Sequence, residues 1–331
     1  MHKQQSVKWF LLLAMALPAT VHATERNQLR SLPGLPGFDL TAPLLPGMYL
    51  QANYQHYAAD KLLGDDGKVA VSATPQPGLS ARLDGKVRAD VLALRGTWLS
   101  EMRVGESGKF GTSITVPLAK TKLTLSPTLI GGPAAPGVEA AIAAQAASMS
   151  GERSGVGDIE IAPFVDFQSD ESRTTLALAV VAPTGKYDKQ SPVNIGAGKF
   201  WTLRPIVTLA HVYENGVEVG ARTSYSINGK NSDTDYRSGQ YLQSDLSALY
   251  AVNDSLKMGM AGYVIYQTTD DKGPGAPDNG NRARVFGLGP SISWQAESGQ
   301  WALESKYIEE FGVRNRPEGG TFWARLFVRI N

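Results

Sequence analysis

The residues between Trp201 and Asn228 restrict the fold more than any other stretch. Leu203, Pro205, Val207 and Leu209 alternate with Thr202, Arg204, Ile206 and Thr208. Past Glu214-Asn215-Gly216 the same period resumes, with Val217, Val219, Ala221, Thr223, Tyr225 and Ile227 set against Glu218, Gly220, Arg222, Ser224, Ser226 and Asn228. A period of two is that of a β-strand, whose side chains point alternately to opposite faces. The stretch therefore reads as a hairpin with one apolar face and one polar, charged face. Each arm matches the roughly 9–11 residues that a tilted strand needs to cross the hydrocarbon layer of a membrane. A half-buried sheet in a soluble protein alternates in the same way, so repetition along the chain has to separate the two.

The pattern does repeat. Alternating runs occupy 48–59, 86–100, 110–118, 122–130, 158–168, 174–182, 242–252, 256–267, 284–296, 301–311 and 322–330, besides the two arms of the hairpin. Their connections are sorted by length. Turns at 169–171, 214–216, 253–255 and 297–300 are tight, whereas 185–199, 229–240, 269–281 and 312–320 are long and rich in Gly, Asp and Asn. Outer-membrane barrels have this asymmetry, with short periplasmic turns and longer outside loops. Tyr49, Trp98, Trp201, Tyr213, Tyr250, Trp294 and Trp301 gather near strand ends, as interfacial girdles require. In lipid an open sheet would leave its edge N–H and C=O groups unpartnered, so the sheet must close. The runs number thirteen, but both ends on the periplasmic side require an even count. The expectation is an all-β chain forming an antiparallel transmembrane β-barrel of 12 to 14 strands with long extracellular loops.

Ahead of the barrel, Lys3 and Lys8 flank the start of an apolar run, and Val21-His22-Ala23 offers the small residues that a signal peptidase reads. Residues 1–23 are thus a predicted signal peptide, 24–47 an N-terminal segment and 48–331 the barrel. Loss of Lys3 and Lys8 changes the net charge from +1 to about −1, which gives no reason to expect nucleic acid as a partner. Cysteine is absent, so no disulfide holds this exported chain. Segment 24–47 is punctuated by Leu32-Pro33-Gly34, Leu35-Pro36-Gly37 and Leu45-Pro46-Gly47, an irregular lead-in that reads either as a lumen plug or as a periplasmic tail. Residues 131–155 form an Ala/Gly/Pro-rich excursion in which 138–149 has the composition of a short helix.

If the apolar face meets lipid, the lumen receives Arg204, Glu218, Arg222, Asp245, Lys257, Glu304, Lys306, Glu310, Arg325 and Arg329, with Tyr263, Ile265, Trp323 and Phe327. One such arginine on the lipid face near mid-bilayer would cost about 2–4 kcal/mol, which fixes inside from outside. Mixed charge with aromatic patches suits a solute that is mostly apolar with one polar group; the alternative is that the charges pair across a filled lumen. Catalytic equipment is sparse. The mature chain keeps only His56 and His211, has no Gly-x-Ser-x-Gly elbow, and shows no serine adjacent in sequence to His211. No metal or cofactor is expected, although Asp233 with Asp235, and Asp270 with Asp271, offer oxygen ligands of the kind calcium takes.

An ordered set of loop motifs completes the reading: Pro183-Thr184-Gly185-Lys186-Tyr187-Asp188, Asn194-Ile195-Gly196, Trp201 with Pro205, Asn231-Ser232-Asp233-Thr234-Asp235-Tyr236-Arg237-Ser238-Gly239, Gly289-Pro290, and Arg314-Asn315-Arg316-Pro317-Glu318-Gly319. From about Pro46 onward the chain resembles the family named for the meta-pathway of phenol degradation. The resemblance implies a Gram-negative outer-membrane protein, inserted by the barrel assembly machinery into outer-membrane lipid and associated with uptake of small hydrophobic or aromatic compounds. The other function class left open is a closed barrel with a structural or surface-binding role. Barrels of this kind usually end on an aromatic residue, whereas this chain ends Val328-Arg329-Ile330-Asn331. Arg237, Arg314 and Arg316 lie in loops that also carry Asp233, Asp235 and Glu318, beside Tyr236 and Pro317, which predicts that two outside loops pack on each other across the mouth.

Overall fold

The structure, a computed structural model, describes residues 24–25, 29–277 and 281–330. The leader read from residues 1–23 lies outside them. In chain order the elements are β1 (Gly47–Leu62), β2 (Val71–Ala73), β3 (Ser80–Arg82), β4 (Gly85–Val104), β5 (Gly108–Leu125), β6 (Thr128–Ile130), α1 (Val138–Met149), β7 (Gly151–Val156), β8 (Glu160–Gln168), β9 (Ser172–Val181), β10 (Thr202–Val212), β11 (Val217–Asn228), β12 (Tyr241–Ala251), β13 (Leu256–Gln267), β14 (Arg284–Gln295), β15 (Trp301–Arg314) and β16 (Pro317–Ile330). The ring runs β1-β4-β5-β8-β9-β10-β11-β12-β13-β14-β15-β16, each strand antiparallel to the next, and β16 pairs back onto β1 to close a 12-strand barrel.

The thirteen alternating runs become twelve because 110–118 and the first four residues of 122–130 belong to one strand. Across the gap Ala119, Lys120 and Thr121 stay paired with Val91, Asp90 and Ala89 of β4. The outward row of β5 runs Ile114, Val116, Leu118, Lys120, Lys122. The apolar alternation therefore lapses where the strand rises out of the lipid, while the hydrogen-bond ladder continues. Residues 128–130 instead join β2 and β3 in a small sheet on the outer side. Strand β7 extends the line of β8 along β5, pairing Val156 with Leu118 and Gly151 with Leu123, after an interruption at 157–159.

Residues 312–320 are not a long loop. Only Asn315 and Arg316 separate β15 from β16. Asn315 takes a left-handed backbone (φ 55), a conformation that asparagine tolerates and tight turns require. The flanking polar residues and glycines lie in strands that project beyond the bilayer, where an outward side chain meets water and needs no apolar character. The other long connections open at the same end, opposite the paired chain ends Met48 and Ile330.

Exposure follows the period of two. On β10, Leu203 and Val207 are each 41% exposed, while Thr202 and Arg204 on the alternate phase are 0% and 3% exposed. Trp98, Trp201, Tyr213, Tyr250, Trp294 and Trp301 all stand outward. Tyr49 departs from that girdle: it belongs to the inward row of β1 with Gln51 and Asn53, is buried, and donates its hydroxyl to the Leu45 carbonyl.

Candidate functional site

The inward row of the barrel carries charges, and the segment between Leu29 and Pro46 satisfies many of them. Asp39 accepts both arms of the Arg325 guanidinium, at 3.0 Å each. Arg325 also donates to Glu304 (2.6 Å) and to Asn53 of β1 (2.9 Å). Glu304 accepts the Phe38 amide at 3.0 Å and pairs with Lys306 at 3.3 Å. The Lys306 ammonium in turn donates to the Pro36 and Leu35 carbonyls at 2.7 and 3.0 Å. Because such groups would be costly to bury unpaired, the bidentate and shared contacts fix where the segment can lie. Gly37 is needed for that approach: a Cβ there would meet Glu304 Oε1 at 2.0 Å.

Further clamps hold the segment along its length. Thr41 donates to Glu218, which is paired with Lys257 at 2.6 Å. Arg173, held by Asp166 at 2.8 Å, donates to the Asp39 and Ala42 carbonyls. Gln168 exchanges two hydrogen bonds with Leu44, and Arg329 donates to the Pro46 carbonyl. Higher up, the Gly34 amide donates to Asp245, and Arg204 donates to the Arg30 carbonyl. Arg30 stacks over Phe200 at 3.8 Å and pairs with Asp158 at 3.1 Å.

At the outer mouth, the Thr24 amide donates to Asp271 at 2.8 Å and the Glu25 amide to Ser238 at 3.0 Å. The Glu25 carboxylate accepts from Tyr187, Asn231 and Thr234. Burial pushes the Asp271 carboxyl above the usual carboxylate range, even though Tyr236, Gly239 and Gln267 donate to it. The Tyr236 hydroxyl is itself pushed up, first by burial and then by its bond to that carboxylate.

Above the upper part of this segment lies a cavity of about 660 Å³. One wall is the inward rows of the paired strands β4 and β5, with Val87, Ala89 and Val91 beside Ala119, Leu123 and Leu125. Helix α1 adds Ala146 and Met149, the loop after β9 adds Pro192 and Val193, and Leu29, Leu32 and Leu35 of the segment close it from below. The polar groups collect at the floor: Arg30, Arg95, Arg204 and Arg222 with Asp158, Glu160 and Gln243. A pocket with apolar walls and a few convergent polar groups is the usual form of a small-molecule site.

Residues 59–326 match the profile of the family described as "Putative MetA-pathway of phenol degradation". The chain belongs to this family. Among solved structures, a crystal structure of an outer membrane channel from Pseudomonas putida F1 aligns with 15% identity and a TM-score of 0.68, over 88% of this chain and 98% of that one. That likeness shows the fold. The monoaromatic hydrocarbon channel CymD aligns with 10% identity and a TM-score of 0.43, over 87% and 90% of the two chains. No curated protein matches this chain.

In this phenol-degradation family member the inward residues singled out from sequence fall into three groups. Glu304, Lys306, Arg325, Phe327 and Arg329 surround the segment near the periplasmic side, Phe327 meeting Phe38 edge-on at 6.0 Å. Glu218 and Lys257 join that group through Thr41, Asp245 holds the middle of the segment at Gly34, and Arg204 and Arg222 reach the chamber floor. Tyr263 and Trp323 are fully buried, Tyr263 donating to Glu310 at 2.7 Å.

The loop residues do not pair across the mouth in the way their charges predict. Asp235 takes Lys230, Glu318 takes Lys61 of β1, and Arg237 donates to the Asn228 carbonyl. These three groups find partners within their own loop or on the neighbouring strand, and the motif at Arg314–Pro317 is a tight hairpin tip. Asn315 there donates to Asp65, Pro317 is buried, and Arg314 sits opposite Arg284. Among the described residues Asp233 takes no such partner, and its amide donates to Asn231. The Pro183-Thr184-Gly185 motif holds the break between β7 and β8, Thr184 accepting the Ile159 amide and Gly185 donating to Asp158. Asp270 is engaged by Arg282 at the surface.

His211 does meet a serine, contrary to the sequence reading. The register of β9 on β10 sets Ser172 opposite it, with Oγ 2.9 Å from Nδ1. Among the described residues no carboxylate or amide orients that imidazole, and a nucleophile–base pair needs such a third group. The contributors that sequence reasoning missed are Arg30, Asp39, Asn53, Arg95, Glu160 and Arg173. Arg95 and Glu160 were findable, since each lies on the inward phase of its strand.

Proposed function

We propose that the chain is an outer-membrane channel for small, mainly apolar organic compounds, aromatic ones included, and that its N-terminal segment is the plug controlling passage. The observation that carries this reading is the apolar chamber on the outer side, floored by a segment clamped in the lumen. Family membership and the fold shared with the outer membrane channel from Pseudomonas putida F1 support it. Apolar walls favour a guest with an apolar body, and the charged lumen below passes it on only when the segment shifts. Cleavage after Ala23 would place the new α-ammonium group of Thr24 on Asp271, a buried carboxylate whose other donors are neutral.

The test is uptake of radiolabelled toluene by a Gram-negative host that keeps its outer membrane, lacks its own outer-membrane hydrocarbon channels, and expresses the chain. Uptake above the vector control is the expected result. Ala89→Trp and Ala119→Trp, which fill the chamber from two neighbouring strands of one wall, should each return it to the control level with the barrel still assembled. Equal uptake by vector, parent and both variants would leave the second reading, a closed surface-binding barrel, which the threaded lumen also favours.

A further inference from the structure

We propose that the chamber floor is an anion subsite, formed by Arg95 of β4 and Arg222 of β11, so that the preferred guest is an organic carboxylate with an apolar body. This rests on the chamber being the solute's binding place. The argument is one of unmatched charge. Four arginines line the floor, but two of them are already engaged. Arg30 pairs with Asp158, which also accepts the Gly185 and Ala197 amides. Arg204 pairs with Glu160 and donates to Ser226.

Among the described residues Arg95 has no carboxylate partner, and Arg222 has only a long ion pair. Arg95 donates once, to Ser113 Oγ at 2.9 Å, and its Nε is enclosed with no hydrogen-bond partner. The carboxylate nearest Arg222 is that of Asp245, at 3.8 Å, whose oxygens are taken by the Gly34 amide and by Gln243. The other lumen acids are committed below, Asp39 and Glu304 to Arg325 and Glu218 to Lys257. The third carboxylate lining the chamber, Asp84, is held at the rim by Arg82 and Thr128.

Strands β4 and β11 stand on nearly opposite sides of the ring, so the two guanidiniums approach the floor from facing walls. A guanidinium presents a planar fork that matches a carboxylate through two parallel hydrogen bonds. A neutral hydrocarbon in the same place would cover two cations without offering either an acceptor, which is unfavourable in an enclosed site. A carboxylate whose apolar body lies against Val91, Leu123 and Leu125 satisfies both the floor and the walls.

Titration calorimetry on the purified mature chain, with 4-ethylbenzoate and its neutral isostere 4-ethylbenzamide, separates the subsite from the chamber. The parent should bind the carboxylate about tenfold or more tightly than the amide, as charge-assisted hydrogen bonds predict. Arg95→Met and Arg222→Met should each lower carboxylate affinity by about tenfold and leave amide binding unchanged. Equal binding of the two probes by the parent, or equal weakening of both by the variants, overturns the anion subsite and leaves the chamber standing. Binding of neither probe overturns both. If one variant fails to assemble, judged by heat-modifiable gel migration, the parent's preference and the other variant still decide.

Discussion

Deleting residues 29–43 should turn a nearly silent barrel into a strongly conducting one. The deletion stops short of β1, which begins at Gly47, so the ring and its pairing are untouched. What disappears is the backbone that Lys306, Arg173 and Glu304 hold inside the lumen. Two single substitutions should act in the same direction with smaller effect. Asp39→Asn removes the carboxylate that Arg325 grips with two hydrogen bonds, and breaking one side of a buried pair costs about 3–5 kcal/mol. Gly37→Val brings a branched side chain where even a Cβ meets Glu304 at 2.0 Å. In planar bilayers the deletion should give large, steady single-channel steps, and the two substitutions should give flickering intermediate ones. Steps no larger than those of the parent would mean that the lumen is shut elsewhere, with α1 and the loop after β9 as the remaining obstruction.

A second large effect is expected on the outer face. Val207 lies mid-strand on β10 and is 41% exposed, whereas Leu209, nearer the periplasmic turn, is 56% exposed. Arginine on the lipid side costs about 2–4 kcal/mol at the bilayer midplane and about 0–1 near an interface. Val207→Arg should therefore depress the urea midpoint of folding in lipid vesicles far more than Leu209→Arg does. Equal and small costs at both positions would show that this face meets water, and the membrane assignment would fall with them.

Which residues face inward was readable from the chain because period-two alternation survives wherever one face touches lipid. Arg204, Glu218, Asp245 and Arg325 come directly from that phase. Legibility ended where the lipid ended. On β5 the outward row turns to Lys120 and Lys122, so one strand read as two; at Asn315 a two-residue turn between polar strand tips read as a loop. The chamber was invisible for a different reason. Val87, Leu123 and Met149 become neighbours only through ring closure and the packing of α1, and no local pattern announces such a meeting. The Ser172–His211 contact belongs to the same class, since it depends on register between strands.

The bond between Asp39 and Arg325 joins residues 286 positions apart, one just ahead of the first strand and one in the last. Arg325 also sits opposite Asn53 in the β1–β16 pairing and donates to its side chain. The contact can thus form only when the two ends of the chain have zipped together, and it is a latch on the seam as well as on the segment. Withdrawing the segment in the mature protein then loosens the guanidinium that bridges to the first strand. Opening the lumen is therefore felt in the wall, at the junction where the first strand meets the last.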